Sequence, residues 1–179
     1  MRGRTLGLVG IGQIGRARAA MAQPIGLATI AYDPFAPEDA FGPHANRVET
    51  LEALLAAADV VSLHCPLTPQ TNKLIGAREF GLMKSGALLV NTARGEVVDE
   101  PALVAALKEG RIAGAGLDSF SPEPPTADNP LWSLPNVLVT PHVGGVTEEA
   151  RREVSLMTVR NVLTFLRGER VHSRYFVRT

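Results

Sequence analysis

Short apolar runs alternate with helix-forming stretches along most of the chain. The runs that we predict as strands are Thr5–Val9, Ala28–Tyr32, Val60–Leu63, Ala87–Val90, Ile112–Leu117 and Val137–Val139. The stretches that we predict as helices are Gln13–Ala22, Leu51–Ala58, Ala77–Met83, Glu100–Lys108 and Glu148–Leu166. Strands that are joined through helices run parallel, and such crossovers are almost always right-handed. The pattern therefore predicts an α/β fold: a doubly wound parallel sheet of about six strands, in the order 3-2-1-4-5-6, with helices on both faces.

The length and composition predict one main domain. With 179 residues, of which 45% are apolar, the chain can bury one sizeable core. Gly168 follows the last predicted helix and is typical of a helix end. We therefore expect a domain over residues 1–168 and a polar tail over residues 169–179.

Charge and cysteine content limit the partners of the chain. Its 18 basic and 18 acidic side chains cancel, which predicts a small-molecule ligand and no binding to nucleic acid or to an anionic membrane. No apolar run approaches the roughly 20 residues that a membrane span needs. Cys65 is the single cysteine, which excludes an internal disulfide and favours a cytoplasmic protein. The sequence has no clustered cysteines or histidines that predict a metal site.

Three glycines have the spacing of a dinucleotide-binding loop. Gly10, Gly12 and Gly15 lie in the segment GIGQIG, between a predicted strand and a predicted helix. In such loops the first glycine makes a tight turn, the second lets a pyrophosphate approach, and the third lets the helix pack on the strand. The amides of Gln13 and Ile14 would face the anion. A purely structural turn is the alternative, because the chain has 17 glycines, but the surrounding strand and helix favour a nucleotide site.

An aspartate at the end of the second predicted strand indicates which dinucleotide is bound. Asp33 lies where a carboxylate can accept hydrogen bonds from the adenosine ribose. Its charge would repel a 2'-phosphate, and Pro34 and Phe35 follow it without an arginine that could hold one. The sequence therefore predicts NAD as the cofactor. The alternative is an aspartate that only starts a turn before a proline.

Ionisable residues also follow the other predicted strands, whose carboxyl ends form the ligand-binding edge of such a sheet. His64, together with Cys65 and Pro66, is expected to line the nicotinamide pocket. Arg94 could clamp a carboxylate with two parallel hydrogen bonds, unless it forms only a surface salt bridge. His142 could exchange a proton near neutral pH, unless it is an ordinary surface histidine.

Six segments of the sequence carry a family resemblance. They are GLVGIGQIG, AYDPFAP, VSLHCPLTPQT, LMKSGALLVNTARGEVVDE, GAGLDSFSPEPP and NVLVTPHVGG. Together they resemble the NAD-dependent D-2-hydroxyacid dehydrogenases, especially the phosphoglycerate dehydrogenase and hydroxypyruvate reductase branch. The resemblance covers nearly the whole chain and implies hydride transfer between a nicotinamide and C2 of a 2-hydroxy or 2-oxo acid.

The resemblance also implies roles for individual residues. Arg94 would bind the carboxylate and carbonyl of the substrate, His142 would be the acid/base, and Glu123 would pair with His142. Asp118 would lie near the nicotinamide carboxamide. The full set predicted to bind the cofactor is Gly10, Gly12, Gln13, Ile14, Gly15, Asp33, His64, Cys65, Pro66, Thr92, Ala93, Asp118, His142 and Gly144.

In one respect the sequence departs from that family. Family members carry a long segment before the glycine loop, which forms most of a substrate domain, whereas here Met1 stands just before the first predicted strand. We therefore expect a nucleotide-binding domain with its substrate domain largely absent, and a tail at residues 169–179 that is a remnant of the crossover to it. The family also implies a homodimer through this domain. Three hypotheses follow: a dehydrogenase, an NAD(H)-binding or regulatory module without turnover, and a Rossmann domain of unrelated chemistry, which the NTARG, SPEP and TPH segments disfavour.

Overall fold

The structure, a computed structural model, describes residues 2–172 and residue 175. The chain forms two compact units, Met1–His142 and Val143–Thr179. Among the described residues, no helix combines the length and apolar character that crossing a membrane requires.

The first unit contains a parallel sheet of seven strands. They are β1 (Thr5–Val9), β2 (Ala28–Tyr32), β3 (Asn46–Arg47), β4 (Val60–Leu63), β5 (Leu88–Asn91), β6 (Gly114–Leu117) and β7 (Val137–Val139). Their order is β3-β2-β1-β4-β5-β6-β7, and every neighbouring pair is parallel. The predicted doubly wound parallel sheet is confirmed, and its first six strands lie in the predicted order 3-2-1-4-5-6, with β7 beside β6. The sheet has one strand more than the six apolar runs predict.

The additional strand is β3, the third along the chain and the edge strand beside β2. β3 has two residues, both exposed, and pairs with Ile30 and Ala31 of β2 at the edge of the sheet. Neither Asn46 nor Arg47 contributes an apolar signal, so the sequence pattern predicts no strand there. The run Val60–Leu63, predicted as the third strand, is therefore the fourth.

Four α-helices belong to the first unit: α1 (Gln13–Ala22), α2 (Leu51–Ala57), α3 (Ala77–Leu82) and α4 (Glu100–Lys108). The hydroxyl of Thr50 accepts a hydrogen bond from the Ala53 amide and so caps α2, and Asp99 caps α4 in the same way. Both caps lie where the chain turns from an extended segment into a helix. The predicted helices are confirmed, with ends that differ by at most a residue.

The core lies on both faces of the sheet, as a doubly wound fold requires. One face packs against α2, α3 and α4, with Leu54, Phe80 and Leu103 fully buried. The opposite face packs against α1 through Leu8 and Ala19. Because β1 lies in the middle of the sheet, its side chains are buried on both faces, which holds the loop after it on a rigid base.

The second unit contains α5 (Glu148–Leu166), whose first turn is capped by the hydroxyl of Thr147 and carries Glu148 and Glu149. These acidic side chains suit the positive end of the helix dipole. The predicted domain boundary after residue 168 stays a prediction. The expected tail over residues 169–179 lies partly outside the described residues, at 173, 174 and 176–179.

Candidate active site

The polar residues that follow the strands of the first unit lie at one edge of the sheet, because all seven strands are parallel. In spatial order along this edge, Asp33 follows β2, Gly10 follows β1, and His64 follows β4. Arg94 lies beyond β5, Asp118 follows β6, and the Thr140–His142 segment follows β7. The carboxyl edge therefore collects the residues that the sequence analysis selected.

The three glycines of the loop meet different steric demands. Gly10 has φ +96°, and a Cβ there would come within 2.8 Å of the Cys65 nitrogen. A Cβ on Gly15 would lie 2.3 Å from the Gly10 carbonyl oxygen. A Cβ on Gly12 would meet nothing within 4 Å. Gly10 and Gly15 are thus required by the fold, whereas Gly12 leaves open space above the loop, which fits a pyrophosphate.

The start of α1 offers backbone amides to that space. Gly12 is the N-cap residue, and no side chain caps this helix within the described part of the chain. The first-turn amides, which include those of Gln13 and Ile14, form the positive end of the helix dipole and suit an anion. These residues would hold the pyrophosphate of NAD.

Asp33 is held directly against the glycine loop. Its Oδ2 accepts a hydrogen bond from the Ile11 amide at 3.0 Å, and its Oδ1 accepts one from the Phe35 amide at 3.1 Å. A cavity of about 220 Å³ beside it is lined by Asp33, Gly10, Cys65 and Pro66 among others. Cys65 and Pro66 therefore line a cavity together with the residue predicted to bind the adenosine ribose. That they line the nicotinamide pocket stays a prediction.

His64 lies at the end of β4 in a partly buried position. Its Nε2 is 3.0 Å from the hydroxyl oxygen of Ser62. Burial, with a smaller contribution from the positive charge of Arg18, lowers the pKa of His64 to about 4. The ring is therefore neutral at pH 7. That His64 lines the nicotinamide pocket stays a prediction.

The low pKa of His64 predicts an acid-sensitive contribution to stability. In the unfolded chain His64 has the ordinary pKa of about 6.5 and takes up a proton as the pH falls below that value. In the folded chain it takes up this proton only near pH 4. The stabilisation is thus complete above about pH 6.5 and is lost as the pH falls towards 4. We expect His64→Gln to lose less unfolding free energy than the parent between pH 7 and pH 5, as measured by urea denaturation. Equal losses in both proteins would contradict this assignment.

The loop that carries Arg94 is shaped by a buried asparagine. Asn91 is 1% exposed. Its side-chain nitrogen donates to the Arg94 carbonyl at 2.8 Å, and its side-chain oxygen accepts from the Ala93 amide at 3.0 Å. A Cβ on Gly95 would lie 2.0 Å from the Phe120 carbonyl carbon, so only glycine fits there. The exposed Arg94 guanidinium therefore projects from a well-defined loop, and Asn91 is a site residue to which the sequence analysis gave no role.

Asp118 is joined to the end of β7. It is 4% exposed, and its Oδ1 accepts a hydrogen bond of 2.5 Å from the Thr140 hydroxyl. Its amide donates to the Asn91 carbonyl at 2.9 Å, which links it to the end of β5. Asp118 thus belongs to a hydrogen-bonded set that spans three adjacent strand ends.

His142 and Glu123 form a direct pair. The Nδ1 atom of His142 lies 3.0 Å from Oε2 of Glu123, and the other carboxylate oxygen accepts from the Phe120 amide at 3.1 Å. The hydrogen bond with His142 is the main cause that lowers the pKa of Glu123, against a smaller effect of burial, and the charge of Arg94 adds to it. The carboxylate is therefore ionised at neutral pH and orients the imidazole. A cavity of about 470 Å³ adjoins the pair.

The other residues predicted to bind the cofactor are Thr92, Ala93 and Gly144. Thr92 is exposed and Ala93 is half-buried, both on the loop between β5 and Arg94. Gly144 belongs to the second unit, and its contact with the cofactor stays a prediction.

The chain is similar to known proteins of one family. Residues 1–144 match the family described as "D-isomer specific 2-hydroxyacid dehydrogenase, NAD binding domain". The chain is 48% identical over 162 residues to the (S)-sulfolactate dehydrogenase of Chromohalobacter salexigens, covering 90% of this chain and 52% of that protein. It is 44% identical over 168 residues to the D-3-phosphoglycerate dehydrogenase of Methanocaldococcus jannaschii, covering 93% of this chain and 32% of that protein.

Solved structures show the same relationship. The NAD-complexed D-isomer specific 2-hydroxyacid dehydrogenase of Lactobacillus delbrueckii ssp. bulgaricus has a TM-score of 0.89 and 38% sequence identity, covering 95% of this chain and 55% of that one. The chain thus spans about half or less of the length of these relatives. With its glycine loop, Asp33 and the strand-end residues in one row, the chain belongs to the D-isomer specific 2-hydroxyacid dehydrogenase family and contains that family's NAD binding domain.

Proposed function

We propose that this protein takes part in NAD-dependent hydride transfer between the nicotinamide and C2 of a D-2-hydroxy acid or the corresponding 2-oxo acid, as phosphoglycerate dehydrogenase-like enzymes do. The observation that carries the proposal is the 3.0 Å contact between His142 and Glu123 at the edge of the sheet where the glycine loop also lies. A histidine that is held by an ionised carboxylate is a typical acid/base catalyst.

The ring orientation of His142 decides which nitrogen serves the substrate. Because Nδ1 faces Glu123, the other nitrogen, Nε2, is the one that can meet a reacting oxygen. In the reduction of a 2-oxo acid, protonated His142 would give its Nε2 proton to the carbonyl oxygen, which becomes the hydroxyl. In the reverse direction the neutral ring would accept that proton. Glu123 stabilises the imidazolium in both directions.

Arg94 is proposed to bind the carboxylate of the acid. Its guanidinium is exposed, and its charge contributes to the lowered pKa of Glu123, which supports a shared site. Two parallel hydrogen bonds from a guanidinium would orient the substrate and stabilise the negative charge that develops on its oxygen. NAD, when bound, supplies or accepts the hydride. The residues that would hold it are the glycine loop, Asp33 and Asp118.

An assay of NADH oxidation tests the proposal. The chain would be mixed with NADH and with hydroxypyruvate, glyoxylate or phosphohydroxypyruvate, and the same sample would be titrated with NADH by fluorescence. We expect binding together with oxidation by at least one acid. Binding without oxidation would favour the alternative, an NAD(H)-binding or regulatory module, which needs only the glycine loop and Asp33. Absence of binding at millimolar NADH would contradict both functions.

The proposal includes a homodimer in the cytoplasm. The groove beside α1, lined by Leu6, Val60 and Val90, leaves Met21 and Ile25 more than half exposed, and exposed apolar surface of this kind favours association with a second copy. The single cysteine supports a reducing compartment. Sedimentation of the assay sample as a monomer would contradict the dimer.

A further inference from the structure

Thr140 forms hydrogen bonds with both Asp118 and His142. Its hydroxyl donates to Oδ1 of Asp118 at 2.5 Å, and its carbonyl accepts from the His142 amide at 3.0 Å. The second contact closes a tight turn in which His142 has φ +55°, a left-handed conformation that few residues other than glycine adopt. One residue is thus bonded to the buried carboxylate of Asp118 and to the backbone of the histidine.

The register of the sheet explains this position. Leu117 and Val139 are neighbours on β6 and β7, and the Thr140 amide continues the ladder by donating to the Leu117 carbonyl at 2.9 Å. Asp118 and Thr140 therefore lie side by side just beyond the strand ends. Thr140 is exposed, so its hydroxyl is not needed to fill the core.

We propose that Thr140 is a positioning residue that orients the Asp118 carboxylate towards the nicotinamide carboxamide. The inference rests on the proposed function, because it takes Asp118 as the carboxylate that faces the nicotinamide half of NAD. A hydroxyl that donates to a fixed carboxylate oxygen sets the direction of that carboxylate, and hydrogen bonds to charged groups are among the stronger ones in proteins. Loss of the hydroxyl removes the hydrogen bond that sets the direction of Oδ1.

The position of Thr140 in the sheet makes the effect specific to one half of the cofactor. Four strands, β1, β4, β5 and β6, separate β7 from β2, which carries Asp33 at its end. A change at Thr140 should therefore affect the nicotinamide end and leave the adenosine end unchanged. ADP-ribose, which lacks only the nicotinamide, reports on binding of the rest of the cofactor.

The test compares NADH and ADP-ribose binding by calorimetry on the chain and its variants. Thr140→Val keeps the shape of the side chain and removes the hydroxyl. We expect it to raise the Kd of NADH about 10-fold and to change the Kd of ADP-ribose less than about twofold. Thr140→Ser restores the hydroxyl and should restore NADH affinity. Thr126→Val, at an exposed threonine on a different loop, is the matched control and should bind as the parent does.

The outcomes separate this inference from the proposed function. Unchanged NADH affinity in Thr140→Val, or an equal loss for NADH and ADP-ribose, would overturn the role of Thr140 alone. The same holds if Thr140→Ser fails to restore binding. If the unchanged chain binds neither NADH nor ADP-ribose, the proposed function fails and the role of Thr140 fails with it.

Discussion

Replacing His142 by alanine is expected to lower the rate of 2-oxo acid reduction by about 100- to 10,000-fold in a preparation that turns over, because a positioned general acid contributes that much. The ring is held by Glu123 through a 3.0 Å contact, so the variant removes the proton donor and leaves the carboxylate in place. NADH affinity should change much less than the rate, since the glycine loop and Asp33 are untouched. The measurement is kcat with saturating NADH, beside an NADH titration.

Two further variants make the His142 result specific. Glu123→Gln keeps the size of the side chain but removes the charge that stabilises the imidazolium, and it should cause a smaller loss of rate than His142→Ala. His44→Ala removes an exposed histidine whose Nδ1 is 2.9 Å from the Gln23 side chain, outside the site, and should leave the rate unchanged. A His142→Ala protein that keeps the parent rate would show that the acid/base assignment is wrong.

Replacing Gly12 by alanine is expected to separate cofactor binding from folding. Its Cβ would meet no atom within 4 Å, and its φ of −64° suits any residue, so the variant should melt within about 2 °C of the parent. The methyl group would occupy the space where the pyrophosphate approaches the backbone. Such overpacking costs about 2 kcal/mol, which corresponds to a rise of about 30-fold in the Kd of NADH.

Two other glycines serve as comparison variants for this experiment. Gly15→Ala would bring a Cβ within 2.3 Å of the Gly10 carbonyl oxygen, so it should lower the melting temperature as well as the affinity. Gly86→Ala, another site with nothing within 4 Å, should change neither. If Gly12→Ala binds NADH as tightly as the parent does, the pyrophosphate does not lie over this glycine.

Much of the fold followed from local patterns. The apolar runs and the glycine spacing predicted most strands of the sheet and the loop after β1, because these depend on residues close together in the chain. The strand order was predicted from the common form of a doubly wound sheet. β3 was missed because two exposed residues on an edge strand carry no hydrophobic pattern, and only pairing with Ile30 and Ala31 makes them a strand. The placement of Cys65 and Pro66 beside Asp33 likewise depends on which strands are neighbours.

The residues of the site could also be predicted only in part from the sequence. Sequence order alone determined that Gly10, Asp33, Arg94, Asp118 and His142 follow strands, and the rule that parallel strands share a carboxyl edge brought them together. The roles of Arg94, Glu123 and His142 came from family resemblance, since neither spacing nor composition distinguishes a catalytic histidine from a surface one.

Only the tertiary structure decided how these residues are held. The bond from Thr140 to Asp118 joins residues 22 positions apart, and it exists because the register of β6 and β7 places them side by side. The two hydrogen bonds of Asn91 and the neutrality of His64 depend on burial, which no local pattern reports. Spacing along the chain thus determined which residues reach the site, whereas strand register and burial determined their orientation and charge.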